Sequence, residues 1–203
     1  MKSNRTLLAA ASIVSVALVL TACGSGDSEP APSAPPTTNA AVAAGPFGPA
    51  CSAIPADVAA AAPTVAAADA AAKIPALSTL VNFVGAAGLG QTLNTTPNIT
   101  IFAPTNDAFA KVDAATVAAL QADPTGLLAN VLKYHVVASD ITPDKLVGQF
   151  PTLNGAPITI AGSGQTFTVT TTTPGNVSNI VCGNVKTANA RVYVIDTVLI
   201  PAA

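Results

Sequence analysis

Asn98-Ile99-Thr100-Ile101-Phe102-Ala103-Pro104-Thr105-Asn106-Asp107-Ala108-Phe109 is the stretch whose reading decides the fold. Ile99 and Ile101 alternate with Thr100 and Phe102, a period of two rich in β-branched residues, which predicts a short strand covered at least in part on both faces. Pro104 ends it, because the proline ring pushes the residue before it out of the helical region. Thr105 or Asn106 then caps a new helix, and Asp107 suits the unpaired amides of its first turn. The result is a strand-to-helix corner held in a core by Phe102 and Phe109.

Upstream, Pro55 to Ala87 is largely alanine interrupted by Pro63 and Pro75, which predicts three short helices, the last with an apolar stripe of Leu77, Leu80, Val81 and Val84. Gly88-Leu89-Gly90 reads as a turn. Downstream, Asp113 caps a helix carrying Val117 and Leu120. Asp123, with Pro124 at the first helical position, opens another through Leu127, Leu128, Val131 and Leu132, and Thr142-Pro143 starts a single turn. The period then changes to two. Asn154-Gly155 predicts a type I′ hairpin and Gly162-Ser163-Gly164 a second turn, giving strands near 150–153, 157–161 and 165–171. Thr166, Thr168 and Thr170 face water, whereas Arg191 to Ile200 is apolar at nearly every position and reads as a strand covered on both sides. Helices early and strands late make the class α+β.

Two further strings, Tyr134-His135-Val136-Val137 and Val192-Tyr193-Val194-Ile195-Asp196-Thr197-Val198-Leu199-Ile200-Pro201, follow the first in order. Together the three resemble the signature boxes of fasciclin domains, which are extracellular modules, and the resemblance runs from Pro63 to Pro201. In cysteine placement too the chain is similar to the mycobacterial secreted and lipid-anchored fasciclin antigens. The resemblance implies a compact β-sandwich or wedge of about seven strands flanked by several short helices, with a role in adhesion. It gives Tyr134 and His135 the place of a Tyr-His motif implicated in adhesion in animal members, as residues that touch a partner or shape the surface. It also exposes a departure: an Asp-Ile pair of animal domains corresponds here to Asn184-Val185, without the carboxylate that would approach a receptor metal ion. A family glycine before the closing strand is Ala190.

At the N-terminus, Lys2 and Arg5 precede an apolar run from Leu7 to Leu20, too short for a comfortable membrane span. Leu20-Thr21-Ala22-Cys23 resembles the bacterial lipobox, which implies a lipoprotein signal peptide over 1–22 and fatty acyl chains such as palmitate on Cys23. Residues 23–49, rich in Gly, Ser, Pro, Thr and Ala, form a disordered tether, and 50–203 a single domain. The expected location is the outer side of the cytoplasmic membrane in a bacterial envelope, with a shed or secreted form beside it. Once Cys23 is lipidated, Cys51 and Cys182 remain as a pair where oxidation is permitted, and a disulfide between them is expected over two separate buried thiols.

Removing 1–22 takes away Lys2 and Arg5, leaving six cations against ten acids, a net charge of −4. No two of those six cations lie closer than five positions apart, so the basic stripe that nucleic acid requires is missing. A chain 50% hydrophobic and only 9% charged can still bury a substantial core. A monomer is expected.

The one histidine, His135, reads as a buried imidazole hydrogen-bonded at a helix-to-strand junction. Asp196 interrupts an apolar strand, where a charge is costly unless it accepts several hydrogen bonds; the expected partners are backbone amides or Thr105 and Asn106, in a structural clasp. No Gly-x-Ser-x-Gly elbow exists, no four-ligand metal set can be assembled, and no phosphate loop has its strand-to-helix context, so no catalytic, metal or cofactor residue is assigned and the chain reads as a non-enzyme. The leading function is a lipid-anchored module that binds a protein or glycan at the cell surface. The second is a carrier or sensor of an apolar small molecule held between helices and sheet, and a remote third is a hydrolase using His135. Cavity size separates the first two: an apolar pocket of several hundred cubic ångströms favours the carrier, a filled core with an exposed apolar patch the partner-binding module.

Overall fold

Prolines punctuate the helical layer as their chemistry requires. In the computed structural model, which describes residues 45–202, helices α1 (Ala56–Ala61), α2 (Ala67–Ala72) and α3 (Ser78–Ala86) are separated by 3-10 turns that begin beside Pro63 and Pro75. A fourth helix, α4 (Gly90–Thr95), starts where only a turn was expected: the chain reverses at Gly88 with φ +67° and Gly90 already belongs to the helix. Strand β1 (Ile99–Pro104) is buried along its whole length and runs into α5 (Asn106–Ala110), where the Thr105 hydroxyl accepts the Ala108 amide at 3.2 Å. Asp113 caps α6 (Ala114–Ala122) through the amides of Ala115 and Thr116. Asp123 also caps, but α7 (Leu127–Tyr134) begins later than Pro124 suggests, because its carboxylate first gathers the amides of Gly126 and Leu127 around an intervening turn.

The strands then follow as β2 (Val136–Val137), β3 (Gly148–Pro151), β4 (Pro157–Ser163), β5 (Thr166–Thr170), β6 (Val177–Lys186) and β7 (Ala190–Ile195), after a 3-10 turn at Pro143–Lys145. They form one seven-stranded sheet in the order β2-β1-β7-β6-β5-β4-β3, in which β1 and β7 pair in parallel over six residues. The two edges meet: Val137 bridges Thr152, and the Leu153 amide donates to the Val136 carbonyl at 2.8 Å. The sheet is thus rolled into a wedge, consistent with the α+β expectation, with neither long edge left free there.

Alternation along the central strands sorts two cores. Ile101 and Ala103 of β1 with Val192 and Val194 of β7 face the helices, while Phe102, Tyr193 and Ile195 point into the wedge beside Phe47 and Phe167. Phe102 stacks on Tyr193 with ring centroids 5.8 Å apart, and Phe47 packs on Phe167 at 5.6 Å.

Two expectations are corrected by backbone geometry. A type I′ turn needs positive φ at both central residues, yet only Gly155 has it and not Asn154, so β3 and β4 are joined by a five-residue loop between Pro151 and Pro157. The domain also starts earlier than Ala50. Phe47, placed in the tether by composition, is buried and exchanges two backbone hydrogen bonds with Gly183 at 3.0 and 2.7 Å, and a side chain on Gly183 would collide with its ring. The signal peptide 1–22, Cys23 and the tether up to residue 44 lie outside the described residues.

The expected disulfide is present. Cys51 and Cys182 are bonded with α-carbons 4.8 Å apart, inside the range a bridge requires, and the bond fastens the 3-10 turn Pro49–Ala53 to the middle of β6.

Candidate functional site

His135 closes α7 and is buried, as its position at the helix end predicts. Its Nδ1 lies 2.8 Å from the Val131 carbonyl and its Nε2 accepts the Leu199 amide at 2.9 Å, so the proton sits on Nδ1 and the ring is neutral. Burial, opposed by the Val131 hydrogen bond, lowers its pKa to about 4. Tyr134 is buried too; its hydroxyl donates to the Pro157 carbonyl at 3.1 Å and accepts the Thr172 amide at 3.2 Å. The pair therefore ties α7 to the β4 hairpin and to the closing segment, and neither side chain reaches the surface. Both ring nitrogens of His135 are committed. They bond the backbone of Val131 and Leu199 and neither Ser139 nor Asp140, whose carboxylate pairs with Arg191 instead. Among the described residues no three His, Cys, Asp or Glu side chains group closely enough to hold a metal ion.

Asp196 is a clasp, but with partners other than Thr105 and Asn106. It accepts the Asn179 amide at 2.8 Å and side chains of Asn179 and Thr197, with Lys111 at 3.4 Å. Partial burial pushes its carboxyl up, and these hydrogen bonds with the Lys111 charge outweigh that and leave it below the ordinary carboxylate range. Thr105 instead caps α5 and donates its amide to the Ile195 carbonyl, while Asn106 bonds the Thr79 amide and the Pro75 carbonyl, locking the corner after β1 onto the start of α3. Both are held by backbone chemistry, and a charged partner was the wrong place to look.

Asn184, at the position of the animal Asp-Ile pair, points inward. It occupies φ +61° at an irregularity of β6, and its side chain meets the Arg191 guanidinium and the Gly45 carbonyl. Arg191 in turn holds Asp140 through two nitrogens, at 2.7 and 3.2 Å.

The feature no motif announced is an open apolar cleft of about 290 Å³ between the helical layer and the sheet. Its floor is Ile101, Ala103 and Val192 of the central strands, and α7 contributes Leu132. Small side chains on α2, Ala67, Ala68 and Ala71, leave the space that Leu80, Val84 and Leu93 of α3 and α4 border but do not fill. Leu153, exposed beside the sheet closure, and Lys133 stand among its lining. The alanine-rich stretch that spelled short helices was also the signal for the cleft, since a helix faced with methyl groups cannot pack out a sheet of isoleucine and valine. Elsewhere, among the described residues, the large exposed apolar side chains are Leu127, Val147 and Val177, on three separate segments, with no aromatic among them.

A sheet rolled into a wedge, a helical layer on its outer face and a Tyr-His pair buried at their junction define a fasciclin domain. The family model for that domain matches residues 75–201, and the chain belongs to the fasciclin family. Among its relatives, the immunogenic protein MPB70 of Mycobacterium bovis is 43% identical over 127 residues, covering 63% of this chain and 58% of that protein. The cell surface glycolipoprotein MPT83 of Mycobacterium tuberculosis is 43% identical over 141 residues, covering 67% and 60%. The chain thus spans about three fifths of the length of these relatives. A solved FAS1 domain pair from the insect cell adhesion molecule Fasciclin I is similar at 22% identity and a TM-score of 0.49, covering 61% of this chain and 45% of that one.

Proposed function

We propose that this chain is a non-catalytic binding module held outside the cytoplasmic membrane through lipid on Cys23, and that the ligand it carries or senses is an apolar small molecule seated in the cleft between helices and sheet. The cleft supports this reading: its lining is apolar and its volume of about 290 Å³ stands at the small end of small-molecule sites. Among the described residues the large exposed apolar side chains outside the cleft, Leu127, Val147 and Val177, stand on separate segments. Adhesion to a protein or glycan stays as a second reading, favoured by the surface location in the name of the MPT83 relative.

Organic extraction of the mature protein recovered from its own cells should release one apolar species in near-equal amount, and Ala71→Phe, which fills the cleft from α2, should abolish its capture. A cleft that yields nothing and takes up no apolar fluorescent probe would leave adhesion as the better reading.

The anchor has its own test. Protein with intact Cys23 should partition into detergent and carry acyl mass on that residue, and Cys23→Ala should lose both. A mature protein that still carries residues 2–22 would rule the lipobox out.

A further inference from the structure

We infer that the ligand of the cleft is a straight-chain monocarboxylate of about ten carbons, a free fatty acid, whose chain lies over the β1 and β7 floor and whose carboxylate meets Lys133. This rests on the carrier reading above and adds the ligand's chemical class. Length follows from volume: taking a methylene as occupying about the 30 Å³ share of a water molecule in the liquid, a cavity of about 290 Å³ holds about ten of them. An unbranched chain suits the lining because Ala67, Ala68 and Ala71 of α2 and Ile101, Ala103 and Val192 of the floor carry no polar side-chain atom, and beside Lys133 and His135 the polar side chain in the lining is Thr92 of α4.

The head group follows from charge. Of the side chains that line the cleft, only Lys133 and His135 can ionise, and His135 is neutral with both nitrogens engaged. Lys133 is exposed on the last turn of α7, and the salt bridges among the described residues are Lys111–Asp196 and Arg191–Asp140, so its ammonium is left for a ligand. A lysine at the edge of an apolar slot lays its stem along the apolar surface and keeps its charge in water, where a carboxylate can meet it without being buried.

The test is displacement of an apolar fluorescent probe from the mature protein at neutral pH and below micellar concentrations. Affinity for the saturated carboxylates should rise about fourfold per added methylene up to about ten carbons and then level off. Decanoate should bind about fivefold more tightly than decanol, the size expected of an exposed ion pair. Lys133→Gln should erase that preference, bringing decanoate and decanol to the same affinity, and Lys133→Glu should turn it towards decyltrimethylammonium. Decanol binding as tightly as decanoate, with Lys133→Gln changing neither, overturns the carboxylate assignment and leaves the carrier reading standing. Failure of every amphiphile and of the probe itself overturns both. A continued rise in affinity beyond sixteen carbons overturns the assigned length.

Discussion

His135→Ala should lower the stability of the domain by about 3 kcal/mol at neutral pH. The substitution removes the acceptor of the Leu199 amide and the donor to the Val131 carbonyl, and it orphans both groups in a buried place. Its pH dependence distinguishes this account from simple loss of packing. The folded-state pKa is depressed to about 4 from 6.5, so below 6.5 the unfolded chain binds a proton that the folded chain refuses. Stability from this residue is therefore full above pH 6.5 and is lost as the pH falls towards 4, a decline of about 3 kcal/mol. Denaturant titrations of wild type and variant should differ most at pH 7 and converge near pH 4. Parallel curves across that window would refute a neutral, doubly bonded imidazole, and a hydrolytic activity lost in a variant of unchanged stability would reverse the non-catalytic reading.

Opening the Cys51–Cys182 bridge should cost more. The bond closes a loop across 131 positions, for which the chain-entropy account gives about 4 to 5 kcal/mol. For a domain of this size that corresponds to a fall in melting temperature on the order of 10 °C. Cys51→Ala and Cys182→Ala should show closely similar losses, since each opens the same loop, and reduction of the wild type should match them. Cys182→Ser should fall further, because Cys182 is fully buried among apolar side chains and a hydroxyl there has to be desolvated. Non-reducing peptide maps of the protein recovered from its own cells should contain one linked peptide with both residues. Free thiols at both positions, or a melting temperature indifferent to reductant, would contradict the bridge.

What could be read from the chain, and what could not, divides along physical lines. β1, the Thr105 corner and the Asp113 cap are local events, decided by a few adjacent residues, and they stand where the sequence predicts them. The cysteine pair was legible because the export expected from the N-terminal run would leave two thiols few alternatives. β6 was not, since Ser178 is buried against Thr197 and Asp196 while Val177 is exposed, which inverts the apolar alternation that marks a strand. Phe47 was hidden by its company: one aromatic among Gly, Pro and Ala weighs little in a composition, yet its partner Gly183 lies in the distant strand β6. The true contacts of Asp196 depend on β6 running beside it, so they could not be named before that strand was known. The cleft was anticipated as an option and not as a place. Alanine on α2 signals helix in sequence and empty space only once the facing residues of β1 and β7 are known.

The bridge also decides where a pull would travel. In the proposed anchored protein, tension along the chain before Gly45 enters the domain at Phe47, whose two hydrogen bonds to Gly183 lie next to the Cys51–Cys182 bond. From there a covalent path leads directly into β6, and residues 52–181, including α2, α3, α4, α7 and β1 around the cleft, hang as a side loop outside that path. Drag on the envelope would be borne by β6 and its neighbour β7, which carries Val192 of the cleft floor, and the helical walls of the cleft would stay slack.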